Sequence, residues 1–161
     1  MSRAAFLVVM IVSACGGDGG SMTADAPIEL DAPPRACASN PAYVTMGTAT
    51  NRYRMTGSGL RWAQARAMCD ADEAHLAFVD DLDELITLAG PDINPGYFMG
   101  VSDSAVEGEW RLITGDPATY LPWLPGEPNG DRAENFGELD GNGINDIGDT
   151  ALRAGICECE L

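Results

Sequence analysis

Between Glu127 and Asp149 stand seven carboxylates, Glu127, Asp131, Glu134, Glu138, Asp140, Asp146 and Asp149, with Arg132 as the one basic side chain among them. Like charges this crowded destabilise a folded chain unless a cation neutralises them. Glycines and prolines interleave the acids, so the backbone here reads as loop that can wrap an ion. The donors are Glu, Asp and Asn oxygens with no His or Cys, a set suited to a hard cation such as calcium rather than zinc or copper. The competing reading is a plain solvated acidic loop, and spacing must separate the two. An EF-hand does not fit. Counted from Asp140, the fifth loop position is Ile144 and the twelfth, which needs a bidentate Glu, is Ala151.

The elements that must position this loop are short. An extended stretch runs around Tyr43 and from Asn51 to Met55. A helix follows, with Ser58 as its N-cap and Trp62, Ala65 and Cys69 recurring at i, i+3 and i+7 on one face. His75 to Val79 reads as a strand. Asp81 with Glu84 three residues on forms a cap before Leu85, Ile86 and Leu88, a second helix stopped by Gly90-Pro91. Beyond Pro95 come short apolar pieces separated by Gly, Pro, Asn and Asp: Tyr97 to Val101, Glu109 to Ile113, Asn135 to Leu139, Ile144 to Ile147 and Leu152 to Cys157. Two early helices followed by short strands and irregular loops predict an α+β domain.

Charge and composition narrow the partners. The 161 residues carry 25 Asp and Glu against nine Arg and no Lys, a net charge of −16. Nucleic acid and anionic membrane surfaces are therefore repelled. Arg3 precedes nine apolar residues, Ala4 to Val12, about half of what a helix needs to cross a ~30 Å bilayer core. Residues 1–14 thus read as a signal peptide and not a membrane span. Val12-Ser13-Ala14-Cys15 resembles the bacterial lipobox, which implies acylation of Cys15; Gly16 in place of Asp implies sorting to the Gram-negative outer membrane. The competing reading is an ordinary secretory signal with an incidental cysteine. Residues 15–36, rich in Gly, Ala, Asp and Pro, cannot bury enough apolar surface to offset ordering entropy and read as a flexible acidic linker. Residues 37–161 are then one domain. Cys37, Cys69, Cys157 and Cys159 form an even set in an oxidising compartment, enough for two disulfides.

The order of the motifs brings a family into view. Trp62-x-x-Ala65-x-x-x-Cys69, then Leu76-Ala77 and the Glu-bearing second helix, resemble the two-helix half of the C-type lectin-like fold. Phe98-Met99-Gly100-Val101 is similar to its Trp-Ile-Gly-Leu strand, and Glu107-Gly108-Glu109-Trp110 to its Glu-Gly-x-Trp step. Trp123-x-Pro125-Gly126-Glu127-Pro128-Asn129 is similar to the run into the sugar-binding loop. Ile144-Asn145-Asp146 matches Trp-Asn-Asp without the Trp, and Ile156-Cys157-Glu158 matches the closing Phe-Ile-Cys-Glu. The resemblance covers residues 37–161.

Carried over residue by residue, it places the principal calcium site on Glu127, Asn129, Glu134, Asn145 and Asp146. The same five would hydrogen-bond two vicinal sugar hydroxyls, coupling metal and carbohydrate binding. Pro128 resembles the family's cis-proline, and Glu-Pro-Asn implies mannose-, glucose- or fucose-type hydroxyl geometry. A secondary calcium position would involve Asp103, Glu107 and Asp131, the last of them one place late. The family's outer cysteines fall on Cys69 and Cys157; Cys37 and Cys159 then pair and tie the domain's ends together, since Cys157 and Cys159 are too close in sequence to bond each other. The inner cysteine pair falls on Phe136 and Asp149 and is lost as a unit.

The function so implied is a calcium-dependent lectin displayed on an outer-membrane lipoprotein. The alternative is a protein-binding domain of the same fold with a structural calcium ion and no sugar. A two-acid hydrolase using Glu127 and Glu134 is set aside, because those acids are already metal ligands. His75, the only histidine, lacks a neighbouring nucleophile, and Trp62, Trp110 and Trp123 fall on core positions of the family.

Overall fold

In the computed structural model, which describes residues 34–89 and 96–161, the strand nearest the C-terminus pairs with strands from the beginning of the domain. After a four-residue helix α1 (Ala36–Ser39) come β1 (Val44–Thr45), β2 (Arg52–Met55), α2 (Trp62–Asp70), β3 (His75–Leu76) and α3 (Leu82–Leu88). Then follow β4 (Tyr97–Ser102), β5 (Arg111–Leu112), a 3-10 turn at Asp131–Ala133, β6 (Phe136–Asp140), β7 (Gly143–Ile147) and β8 (Ala154–Cys159). Strand order is β1-β2-β8-β4-β6-β7, with β3 on β8 and β5 on β4. Among the described strands, only β4 and β8 pair in parallel. The fold is α+β, as expected, and α1 is a third helix that the sequence pattern did not signal.

Local chemistry explains most elements. Helix α2 buries Trp62, Ala65 and Cys69, the face read from the spacing. It starts at Trp62 and not after Ser58: Gln64 Oε1 accepts the Arg61 N–H at 2.9 Å, so the first turn is satisfied three residues later. Asp81 caps α3 as expected, accepting the Glu84 N–H at 2.9 Å. Leu85 and Leu88 are buried but Ile86 is 63% exposed, because the helix presents only one face to the core. The Gly90-Pro91 stop lies outside the described residues. The predicted strand His75 to Val79 pairs as β3 only through Leu76, although Ala77 N–H still donates to Ile156 O at 2.8 Å. The predicted strand Glu109 to Ile113 shrinks to β5 because the chain turns back within Thr114–Asp116, where Leu112 N–H donates to Asp116 O at 2.8 Å.

Two disulfides brace the end where β2, β3 and β8 meet. Cys69–Cys157 and Cys37–Cys159 form as expected, with Cα separations of 5.2 and 5.8 Å. Arg35 and Ala36, the last residues of the expected linker, already touch the domain: Arg35 pairs with Glu160 at 3.0 Å and Ala36 N–H donates to Glu73 at 2.7 Å. Trp62 is a core residue, its indole N–H donating to Met99 O at 2.8 Å. Its ring stacks on Phe136 at 4.7 Å, so where the family has an inner cysteine this chain puts an aromatic contact. The other inner position, Asp149, is exposed. Trp110 and Trp123 meet edge to face at 4.8 Å and pack half-buried on the core, as their family positions imply.

Candidate functional site

The site is built from one hairpin and the loop that crosses it. In β6–β7, Gly137 faces Asp146 and Glu138 faces Asn145. Successive strand residues point to opposite faces, so Asn145 and Asp146 diverge. Asp146 is 2% exposed and turns toward the loop. Its Oδ1 and Oδ2 accept the Asn129 N–H at 3.0 and 3.1 Å, and Oδ2 also accepts the Gly130 N–H at 2.9 Å. One carboxylate from the sheet thereby fixes the backbone on which Glu127, Pro128 and Asn129 sit. The Glu127–Pro128 peptide bond is cis. At Gly130 a Cβ would collide with the Glu134 side chain, so the loop closes over Glu134 only because that residue is glycine.

Electrostatics show which acids have been gathered. Burial, then the adjacent Asp146 carboxyl and the charge of Glu134, push the Glu127 carboxyl above the usual range; the Asn129 side chain pulls it back in part. Burial, then Asp146 and Glu138, push Glu134 up as well. Glu127 Oε2 is buried with no hydrogen-bond partner in the described structure. An unpaired buried carboxylate oxygen beside two further carboxylates is costly as it stands and is what a cation relieves. The donor chemistry of Glu127, Asn129, Glu134 and Asp146 therefore fits a hard divalent ion.

The five expected residues are not closed into a shell. Among the described residues no group of three or more His, Cys, Asp or Glu is spaced to hold a metal. Asp146 is engaged by backbone amides, and the Asn145 amide Nδ2 donates to Glu138 at 3.3 Å. Glu127, Glu134 and Asp146 are brought together, Asn129 is exposed on the same loop, and Asn145 is held from the other face.

The secondary set is also gathered. Asp103 Oδ2 accepts the Gly108 N–H at 2.9 Å, while its Oδ1 is buried without a partner. Slight desolvation, then the charges of Asp103 and Asp131, push the exposed Glu107 carboxyl upward, and Arg132 opposes them. Asp103, Glu107 and Arg132 line a cleft of about 410 Å³, so a guanidinium shares the space with these acids.

The residue the sequence pattern passed over is Glu138. Read there as one acid of a charge run, it is buried, 3% exposed, and ion-paired with Arg153. Period-2 alternation was the available signal, since Glu138 shares its strand face with Phe136. Cys15, and with it the expected lipid anchor and signal peptide, lies outside the described residues.

The family described as Lectin C-type domain matches residues 58–159. Human "C-type lectin domain family 17, member A" is 32% identical over 108 residues, covering 66% of this chain and 29% of that protein. The chain thus spans under a third of that relative's length. A crystal structure of the cow carbohydrate-recognition domain of CD23, in the presence of a GlcNAc2Man3 oligosaccharide, superposes with a TM-score of 0.66 at 25% identity, covering 74% of this chain and 93% of that one. A calcium-independent type II antifreeze protein superposes with a TM-score of 0.64 at 22% identity, covering 74% and 92%, and shares the fold.

Proposed function

Since the chain belongs to the C-type lectin domain family, we propose that residues 37–161 bind carbohydrate of mannose, glucose or fucose type through a calcium ion held by Glu127, Asn129, Glu134, Asn145 and Asp146. The observation that carries this reading is Glu127 Oε2, buried and unpartnered beside Asp146 and Glu134. The calcium ion would supply a Lewis-acidic centre for two vicinal hydroxyls. Asp146 holds the loop through its amides, the glycine at 130 lets Glu134 approach, and the Glu and Asn side chains have atoms left to hydrogen-bond a sugar. The family is generally one of binding domains rather than enzymes, which agrees with acids committed to binding.

Calcium affinity near ~10⁻⁴ to 10⁻³ M is expected of an extracellular module. One shallow site binds sugar weakly, so several copies on a surface would supply avidity. A lipid on Cys15 would provide that display at a bacterial outer membrane. The human and bovine relatives lend this anchor no support, and it rests on Val12-Ser13-Ala14-Cys15 alone. Mass spectrometry of the mature N-terminus decides it.

The functional test is a glycan array probed with and without chelator, beside a calcium titration of wild type and Asn145→Ala. Chelator-sensitive binding to mannose-type glycans is expected; sugar binding indifferent to chelator would sink the reading. The second reading is a protein-binding domain of the same fold with a structural calcium ion and no sugar; the antifreeze neighbour shares the fold and carries neither reading. The signature of the second reading is calcium-dependent thermal stabilisation with no sugar competition.

A further inference from the structure

We infer that the cleft shared by α2, β4 and β5, which Arg66 and Arg111 line together, binds a small anion carried on an apolar ring, an aryl sulfate or aryl carboxylate. The cleft measures about 210 Å³, and among the described residues no Asp or Glu lines it. In a chain of net charge −16 this is a local reversal of sign. It suits one compact anion, while the field of the whole chain still repels a polyanion. The rest of the lining is largely apolar, with Trp62, Leu112 and Ile113 in it. An apolar cavity of about 150 Å³ accepts benzene, so one ring has room here beneath the guanidinium groups.

The fold holds both arginines in place. Arg66 lies one helical turn beyond Trp62, with its Cζ 5.8 Å from the indole centroid. That indole is fixed in turn by its bond to Met99 O and its stacking on Phe136. Arg111 opens β5 opposite Ser102 of β4, and its Nη1 donates to Gly115 O at 3.3 Å. Each arginine has one acid beside it, Asp70 at 3.4 Å from Arg66 Nε and Glu109 at 3.5 Å from Arg111 Nη2. Both distances exceed the about 2.7–2.9 Å of a charge-assisted hydrogen bond. Both pairs are also about half exposed, so solvent screens them. The planar forks of the guanidinium groups match the paired oxygens of a sulfate or carboxylate. A hydroxyl adds to them: Ser102 Oγ donates to Ser104 Oγ at 2.9 Å, which leaves the Ser104 hydrogen for an acceptor in the cleft. None of the five residues assigned to calcium lines this cleft, so the inference stands apart from the calcium reading.

The test titrates the full chain, held in chelator, with phenyl sulfate and with benzoate, and follows the Trp62 indole N–H by NMR. Inorganic sulfate lacks the ring and benzyl alcohol lacks the charge. A saturable shift is expected with at least one aryl anion, and the tighter of the two identifies the head group. Inorganic sulfate and benzyl alcohol should each bind about 10-fold more weakly. Arg66→Gln and Arg111→Gln should each weaken the aryl anion about 10-fold, the usual effect of losing a hydrogen bond to a charged group. Both side chains are about half exposed, so the variants keep the fold. Arg35→Gln, at the disulfide end, should bind as wild type does. No saturable shift with either aryl anion overturns the inference. So does an equal loss in Arg35→Gln, which would mark a general charge effect, or binding of inorganic sulfate or benzyl alcohol as tight as that of the aryl anions.

Discussion

Asp146 and Glu158 are both buried carboxylates, 2% and 3% exposed, yet the two ends of the domain treat them differently. At the loop end, Asp146 is met by backbone N–H groups of Asn129 and Gly130, donors that a loop offers only when it is folded over the sheet. At the disulfide end, Glu158 sits between Cys157 and Cys159 on β8 and is met by side chains: Asn51 Nδ2 at 2.7 Å and Tyr53 OH at 3.4 Å, both on Oε1. Its Oε2 is buried without a partner. Burial first, then the nearby charge of Glu84, push Glu158 up to about 7, with Asn51 and His75 pulling the other way. Tyr53 OH also donates to Glu84 at 2.7 Å, and burial with these two acids raises its own pKa. The disulfide end can thus meet its spare charge by taking up a proton. The loop end spreads its charge over Glu127, Glu134 and Asp146 and leaves room for a cation.

Opening the braced end should have the largest effect. Cys69→Ser with Cys157→Ser removes a link across 88 residues, and stability should fall by about 2–5 kcal/mol. Thermal melts read this, while calcium affinity measured on the folded fraction should stay near wild type. If calcium affinity fell in step with stability, the two ends would not be separable.

Next in size is the pH dependence of Glu158. Its pKa in the folded chain is raised, so the stability it contributes is complete below the ordinary value of 4.5 and is lost as pH rises through about 7. Over that window the contribution is on the order of 3 kcal/mol as an upper limit. Melting in chelator from pH 4.5 to 8 should show the decline for wild type, and Glu158→Gln should flatten it.

Smaller in stability but decisive for the other end, Asp146→Ala leaves the Asn129 and Gly130 amides without acceptors. It should cost about 1–3 kcal/mol and abolish calcium-induced stabilisation. A variant that keeps its calcium response would move the ion away from this loop. The smallest effect belongs to neither end: Ile86→Ser on the exposed side of α3 should shift stability by under about 0.5 kcal/mol, and a larger loss would mean that this face is covered in solution.

Much of the framework was legible because it is local. Asp81 caps α3 through a bond three residues long, and the i, i+3, i+7 spacing of Trp62, Ala65 and Cys69 marks a helix face wherever the helix packs. Boundaries were less legible. The start of α2 depends on Gln64 reaching back to Arg61, a side-chain contact that Ser58 as a cap candidate did not reveal. The exposure of Ile86 depends on which side of α3 the sheet occupies. Among the site residues, residue types and order marked Glu127, Asn129, Glu134, Asn145 and Asp146 as a hard-cation set, but their order could not say that Asn145 and Asp146 diverge across a strand.

By itself, then, the amino-acid sequence determined the residue chemistry: an acidic, oxygen-donor loop, four cysteines for two disulfides, and two capped or patterned helices, each set by neighbours within a few residues. Only the tertiary structure decided which charges are matched and by what. Glu138 meets Arg153 across 15 residues, Asp146 meets Asn129 across 17, and Glu158 meets Asn51 across 107. Side-chain types can forecast that a buried carboxylate needs a donor, but which donor arrives is settled by strand register and loop closure, which the local sequence does not encode.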